Sequence, residues 1–313
     1  MTASDQVVPT RRPAESFLFL AGPQPTFESQ SVKLSNGLVL HKVDRLFLDG
    51  LVKKGVTNAA EFAGDCTVCV EFNGTDSPSD LMRPLAFQEA LILATDVRSG
   101  EFHQVILNTY DGPEIETVIP SPPDLPRRGT ILWGHFRSQL SDADIKAAEE
   151  LMPRVEAFHG AEKFSCVGNA LLFYRNGYNS DNPDLALVSF TTCLESLLST
   201  SEQEISFKLS LRVATFLADE NEKREELFQA AKEVYRTRSK IVHGAKIHRD
   251  QETAAIVLVE SMLPQAERLA RGCLAKVLRL RIEALFENAE KLNTVFEKLM
   301  FSNSLDDALA AAR

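Results

Sequence analysis

No stretch of this chain approaches the roughly 18 to 20 consecutive apolar residues that would span a bilayer, so no membrane helix is expected. The first thirty residues lack the basic start and continuous apolar run of a secretory signal. Residues 17–21 are apolar, but the run is short and bracketed by Pro13 and Pro23. Cysteine is scarce. The five residues Cys66, Cys69, Cys166, Cys193 and Cys273 are odd in number and scattered, which argues against a disulfide framework and for a reducing compartment, so a cytoplasmic protein is expected. Only Cys66 and Cys69 have suggestive spacing, and no second pair supplies the further ligands that zinc needs. Residues 66–72 read instead as a strand, in which positions three apart face opposite sides. Neither a metal nor an organic cofactor is expected. A glycine-rich phosphate loop and a GxSxG elbow are missing too, and His41, His103, His135, His159 and His248 have no partners at recognisable spacing.

Positive charge is also in deficit. The net charge of -10 weighs against a protein coated for phosphate binding, but it is unevenly spread. Residues 1–159 hold 14 basic against 22 acidic side chains, whereas residues 160–313 hold 20 against 22. Within the second part, residues 231–249 carry Lys232, Arg236, Arg238, Lys240, Lys246 and Arg249 with Glu233 as the only acid. Such a run is either a local phosphate-binding surface or a solvated helix face.

What is present predicts an α+β protein of two domains. Between residues 31 and 120, short apolar runs alternate with turn residues: 32–40 interrupted by Asn36-Gly37, 67–72 closed by Asn73-Gly74, 90–94, and 102–107. They predict strands and hairpins, with residues 96–100 linking the last two runs. The prolines at 113, 120, 122, 123 and 126 predict a semi-rigid connection ending a β-rich module over residues 1–130. Trp133 reads as packing. Residues 131–164 hold a connecting helix opened by Ser141 and Asp144, with Pro153 inside it.

Residues 165–313 predict an all-α helical bundle. Asn182-Pro183-Asp184 opens a helix with Leu187, Phe190, Leu194 and Leu197 on one face. A capping box at residues 201–204 precedes a stripe of Ile205, Leu209, Val213 and Phe216. A helix over residues 222–243 stops at Gly244, and two more cover 250–263 and 264–298. The aromatic residues Phe158, Phe164, Phe173, Tyr174 and Tyr178 read as helical core. No repeat period is visible.

The helix over residues 222–243 contains a conflict. Its apolar stripe runs Leu227, Ala231, Val234, Arg238, Ile241, placing a guanidinium where the pattern reserves core. Arg238 therefore forms a buried ion pair, for example with Glu195 at the edge of its own helix's core face, or snorkels to water, or lines a cleft. His243 follows five residues later at the helix C-terminus, where carbonyl dipoles favour a protonated imidazole. Five residues correspond to about 140° of rotation and about 7.5 Å of rise, so one straight helix does not aim both side chains at one phosphate. A frayed last turn or a second copy of the helix would be needed.

The segment Tyr235-Arg236-Thr237-Arg238-Ser239-Lys240-Ile241-Val242-His243-Gly244 resembles the signature of HEPN domains, an Arg, a polar residue, a short spacer and a His. Upstream, residues 193–198 and 204–214 are similar to the Apea-like branch of that superfamily. The resemblance covers residues 165–300 and is silent on the N-terminal half. It implies a bundle that dimerises, brings two motif copies into one cleft and cleaves RNA without a metal, in a toxin or anti-phage defence setting. It further implies that His243 is the general acid/base and that Arg238 stabilises the phosphate. Ser239 would orient the His243 ring, while Arg236, Lys240 and Lys246 would hold flanking phosphates. The N-terminal module would then dock a trigger or inhibitor protein. Residues of this kind equally suit a non-catalytic bundle, used for dimerisation or for binding a nucleotide or protein, in which Arg238 pairs with Glu195 and His243 caps its helix.

Overall fold

The computed structural model describes residues 14–21, 24–54, 59–60, 66–74, 78–97, 100–110, 112–119, 137, 139–158, 165–200, 205–243, 252–301 and 304–310. Contacts divide the chain into two compact units, residues 1–129 with 137–152, and residues 130–136 with 153–313. The Pro-rich residues 120–136, Trp133, Phe164, the capping box at 201–204, Gly244 and Lys246 lie outside the described residues.

The first unit is built on a six-stranded antiparallel sheet of order β3-β4-β5-β1-β6-β7. Its strands are β1 (Ala14–Ala21), β3 (Ser31–Lys33), β4 (Val39–Lys42), β5 (Cys66–Gly74), β6 (Gly100–Tyr110) and β7 (Gly112–Ile119). A separate pair joins β2 (Gln24–Pro25) to β8 (Gln139–Leu140) in parallel. Residues 17–21, unassigned in the sequence reading, belong to the strand at the centre of the sheet. Phe17, Leu18, Phe19 and Leu20 are all at most 1% exposed, so both faces of β1 are covered and the alternation that marks a strand is erased. Phe17 and Phe19 pack with helix α1 (Arg45–Lys53) through Phe47, Leu48 and Leu51. The predicted turn at Asn36-Gly37 is present. Gly37 has φ +87°, a conformation that favours a residue without Cβ, and the Asn36 side chain accepts from the Leu38 N–H.

Three expectations for this unit are corrected. Residues 90–94 are not a strand but lie in helix α2 (Pro78–Thr95). Ala90, Leu91, Ile92 and Leu93 are all buried, and a helix covered on several sides loses its 3.6-residue signal in the same way that β1 loses its alternation. Residues 96–100 accordingly join a helix to a strand. The prolines do not end the sheet at residue 111 either, since β7 runs to Ile119 as an edge strand with Pro113 near its start, where a missing N–H is tolerated. Cys66 and Cys69 sit in one core cluster instead of on opposite faces. A register shift opposite Leu20 and Ala21 leaves Thr67 without a counterpart on β1 and rotates the strand by one position. Burial pushes the Cys69 thiol well up, which makes it inert.

Helix α3 (Asp142–Glu156) begins with the predicted box. The Asp144 N–H donates to Ser141 Oγ at 3.3 Å, and Ser141 N–H donates back to Asp144 Oδ2 at 2.9 Å. Arg137 fastens this box to the end of α2, donating to Asp144 Oδ1 at 2.6 Å, Asp96 Oδ1 at 2.7 Å and the Thr95 carbonyl at 2.8 Å. Asp96 is the residue at φ 58°, so the clamp holds a turn that an L side chain rarely adopts. Burial alone would push the Asp144 carboxyl up, but Arg137 and Ser141 outweigh it and hold it below the ordinary carboxylate range. A carboxyl depressed in the folded state stabilises the fold above its unfolded value, about 3.9, and that contribution fades as pH falls through the folded value. Arg137→Ala is therefore expected to cost about 1–2 kcal/mol, discounted because the guanidinium is half-exposed. Urea unfolding at neutral pH and at about pH 3 checks this, since the deficit should shrink at the lower pH. A deficit of equal size at both would contradict the assignment.

The second unit is helical: α4 (Cys166–Tyr178), α5 (Pro183–Leu198), α6 (Ile205–Leu217), α7 (Asn221–Val242), α8 (Glu252–Leu280), α9 (Glu283–Phe286), α10 (Ala289–Phe301) and α11 (Leu305–Ala310). Asn182 caps α5 by accepting from the Asp184 and Leu185 N–H groups, with Pro183 at the first helical position. The predicted stripes are core: Leu187, Phe190, Leu194 and Leu197 on α5, and Leu209, Val213 and Phe216 on α6. Tyr174 and Tyr178 are buried as expected, with Tyr174 against Phe190. The expected break at Pro264 is absent. Helix α8 runs through it, because Leu263, Ala266, Leu269 and Ala270 are buried there and packing overrides one lost backbone bond. The turn comes at Arg281, φ 56°. Among the described residues, no helix is long and apolar enough to cross a membrane.

Candidate functional site

Helix α7 carries the candidate residues. Leu227, Ala231 and Val234 are buried as its stripe requires, and the stripe then meets Arg238, whose side chain is 21% exposed. Arg238 Nη2 donates to Glu195 Oε2 on α5 at 3.3 Å, long for a charge-assisted bond. Among the described residues its buried Nε has no hydrogen-bond partner. The guanidinium also lies 5.8 Å from the centroid of the Tyr235 ring, one turn back.

Glu195, 19% exposed, is thus shared between two groups of α7. Burial pushes its carboxyl up, and Arg238 together with a hydrogen bond from Tyr235 offsets that only in part. Burial and the Glu195 charge in turn push the Tyr235 phenol up. The result is a half-buried cluster of Glu195, Arg238 and Tyr235 in which the cation is under-coordinated. Tyr235 stands in the motif segment, but its part in holding Glu195 was not legible there. The only sequence signal is its position three residues before Arg238, on the same helix face.

His243 is elsewhere. It is exposed, sits at the C-cap of α7 with φ -86° and ψ 6°, and its backbone N–H donates to the Ser239 carbonyl at 3.1 Å. The last turn is therefore intact, and the frayed arrangement that would swing His243 toward Arg238 is not the one observed. Within one chain the two side chains leave α7 about 140° apart. Ser239 meets His243 through this backbone bond. Arg236 is exposed and pairs loosely with Glu233 at 3.5 Å, and Lys240 is exposed. Neither a shared cleft nor a sealed Arg238–Glu195 pair describes the site. A partly open pair lies on one side of the helix and an exposed imidazole on another.

A second titratable pair lies in the first unit. His41 bonds Glu71 across neighbouring strands, Nε2 to Oε2 at 2.6 Å, and stacks on Phe47 at 4.9 Å, so it is not partnerless as its sequence position suggested. The hydrogen bond from His41 holds the Glu71 carboxyl below its ordinary range. Cross-strand neighbours at residues 41 and 71 have no fixed sequence spacing, which is why the pair escaped notice. Among the described residues no group of three or more His, Cys, Asp or Glu side chains is placed to hold a metal ion. Compared with protein-family models, curated proteins and solved structures, the chain matches none.

Proposed function

We propose that this protein is a metal-independent endoribonuclease of HEPN type, acting as a homodimer in which Arg238 and His243 of two copies meet at one phosphate. The observation that carries the reading is the under-coordinated Arg238, a cation on a core stripe with one long bond to Glu195 and a buried N–H left over. An unpaired buried donor costs about 1–3 kcal/mol, a cost that a purely structural position has no reason to keep. His243 supplies the complement, an exposed imidazole at the C-cap of α7.

In the proposed reaction the ribose 2′-oxygen attacks the adjacent phosphorus, and the bond from phosphorus to the 5′-oxygen breaks. One His243 accepts the proton from the 2′-hydroxyl, and the partner's His243 gives a proton to the departing 5′-oxygen. Arg238 stabilises the charge on the non-bridging oxygens. The products are a 2′,3′-cyclic phosphate and a free 5′-hydroxyl, with no oxidant or metal needed to balance the step. A toxin or defence role, with the first unit docking a trigger or inhibitor protein, belongs to the same proposal. The test is incubation of a mixed RNA pool with purified protein in EDTA. Fragments ending in cyclic phosphate support the reading, and intact RNA with a folded dimer, together with no His243-dependent toxicity in cells, defeats it.

The Glu195 contact favours a second reading, a non-catalytic bundle in which Arg238 serves only to tie α7 to α5. Glu195→Gln separates the two. It keeps an acceptor for Arg238 and Tyr235 but frees the guanidinium from a competing charge, so a nuclease should bind uncleavable RNA more tightly. A structural tie would change only the unfolding midpoint.

A further inference from the structure

Helix α7 presents a second face, opposite its core stripe, of which the proposed proton transfers use only His243. Phe228, Lys232, Arg236 and Lys240 follow one another at intervals of four residues, a row that drifts about 40° per step. His243 falls back within its width. The three basic side chains and His243 are all exposed. Among the described acids of α7, the exposed Glu222 and Glu225 precede the row, Glu233 pairs with Arg236 at 3.5 Å across open solvent, and Glu226 is taken by Lys223 at 2.7 Å. Such exposed pairs are weak and readily exchanged for a phosphate. From Phe228 to His243 the row extends about 22 Å, the reach of several nucleotides.

At its far end the row meets an aromatic platform. Phe207 on α6 stands edge to face with Phe228, ring centres 5.7 Å apart, and is 56% exposed. Lys232 Nζ lies 5.9 Å from the Phe228 ring centre. Beside them is a cavity of about 380 Å3 lined by Phe207, Leu211, Phe228, Met300, Arg224 and Glu225. A large exposed phenylalanine over an apolar hollow, joined to a track of cations, combines a surface for a base with a surface for its backbone.

We infer that this face is the substrate track of the proposed nuclease, and that its substrate class is single-stranded RNA. An unpaired base stacks on the exposed ring of Phe207, which Phe228 braces edge to face, and the following phosphates run along Lys232, Arg236 and Lys240 toward His243. The inference rests on the nuclease reading for its direction, but binding is separable from cutting. A duplex does not fit, because its bases are already stacked and hidden, whereas every base of a single strand offers a face to an aromatic side chain.

The experiment is fluorescence anisotropy of the full chain with a short 2′-O-methyl RNA strand, which has no attacking hydroxyl, and with the same sequence as a duplex. The single strand is expected to bind more tightly. Phe207→Ala should weaken it about five- to hundredfold, with Phe207→Tyr restoring most of the loss. Lys232→Gln and Lys240→Gln should each reduce the slope of log affinity against log salt by about 0.7. Because these side chains are exposed, matching thermal unfolding verifies that the variants fold. Equal or tighter duplex binding, or Phe207→Ala with unchanged affinity, overturns the inference. Tight single-strand binding by a wild type that never cuts would sink the nuclease reading alone, and cutting that ignores Phe207 would sink the track alone.

Discussion

His243→Ala is expected to lower RNA cleavage by at least about a hundredfold and up to ten-thousandfold, leaving the unfolding temperature where it was. The two halves of that expectation have separate physical sources. His243 is exposed, and the bond that ends α7 comes from its backbone N–H, which alanine retains, so truncation removes little packing. In the proposed step, both proton transfers pass through this residue in its two copies. Arg238→Ala should behave differently. It removes charge stabilisation of the phosphorane, worth about a hundred- to thousandfold in rate, and it also touches the fold. Glu195 would lose the guanidinium that offsets its burial, so its carboxyl would be pushed higher still. A carboxyl raised in the folded state is a penalty that grows as pH climbs above the unfolded value, so this variant should be least impaired in stability at acid pH and most at neutral pH. Single-turnover cleavage and denaturant unfolding across pH, on both variants, measure these effects. Two variants alike in stability and alike in retained cutting would refute the assignment.

The largest stability effect in the helical unit is expected at Glu267. This α8 carboxyl is 1% exposed, accepts from the Tyr174 phenol at 2.7 Å and from Arg271 Nε at 2.8 Å, and lies where a lone charge would be expelled. Burial pushes the Tyr174 phenol well above its usual range, so Tyr174 acts only as a neutral donor here. Glu267→Ala leaves a buried hydroxyl and a mostly buried guanidinium without this acceptor. The expected cost is about 3–5 kcal/mol, a fall in unfolding temperature on the order of 10 °C. Glu267→Gln should recover part of it, because the amide oxygen still accepts. Calorimetry of the three proteins tests this, and a loss below about 1 kcal/mol for alanine would show the network to be dispensable.

The contrast between Glu267 and Arg238 also marks what could be read from the sequence. The helical unit was legible wherever one face alone is buried. The α5 and α6 stripes, the Asn182-Pro183 start and the end of α7 at His243 follow from periodicity and capping chemistry, and they recur in the fold. Legibility failed wherever burial is all-round. Strand β1 and the end of helix α2 are both covered on more than one face, and residues 17–21 and 90–94 present only unbroken apolar runs. It failed again where tertiary packing outweighs a local rule, as at Pro264, or where a sheet edge excuses one, as at Pro113.

For the candidate site, Arg238 was visible as a charge on an apolar stripe, and Glu195 as its partner from the edge of a neighbouring face; the 3.3 Å contact joins these two. Tyr235 and the Phe207–Phe228 platform were not visible. Their significance depends on distances between α5, α6 and α7 that no spacing encodes. The intact last turn of α7 narrows the options for chemistry, because one chain presents Arg238 and His243 on faces about 140° apart.

Subunit mixing tests that consequence most directly. Wild type is combined with an increasing excess of folded His243→Ala protein under conditions that allow exchange and then assayed on single-stranded RNA in EDTA. Mixed dimers keep only one of the two His243 side chains that the proposed step uses, so a site shared between copies predicts that cutting falls as the square of the wild-type fraction. If the mixture exchanges subunits and cutting falls only in proportion to that fraction, the shared site is wrong.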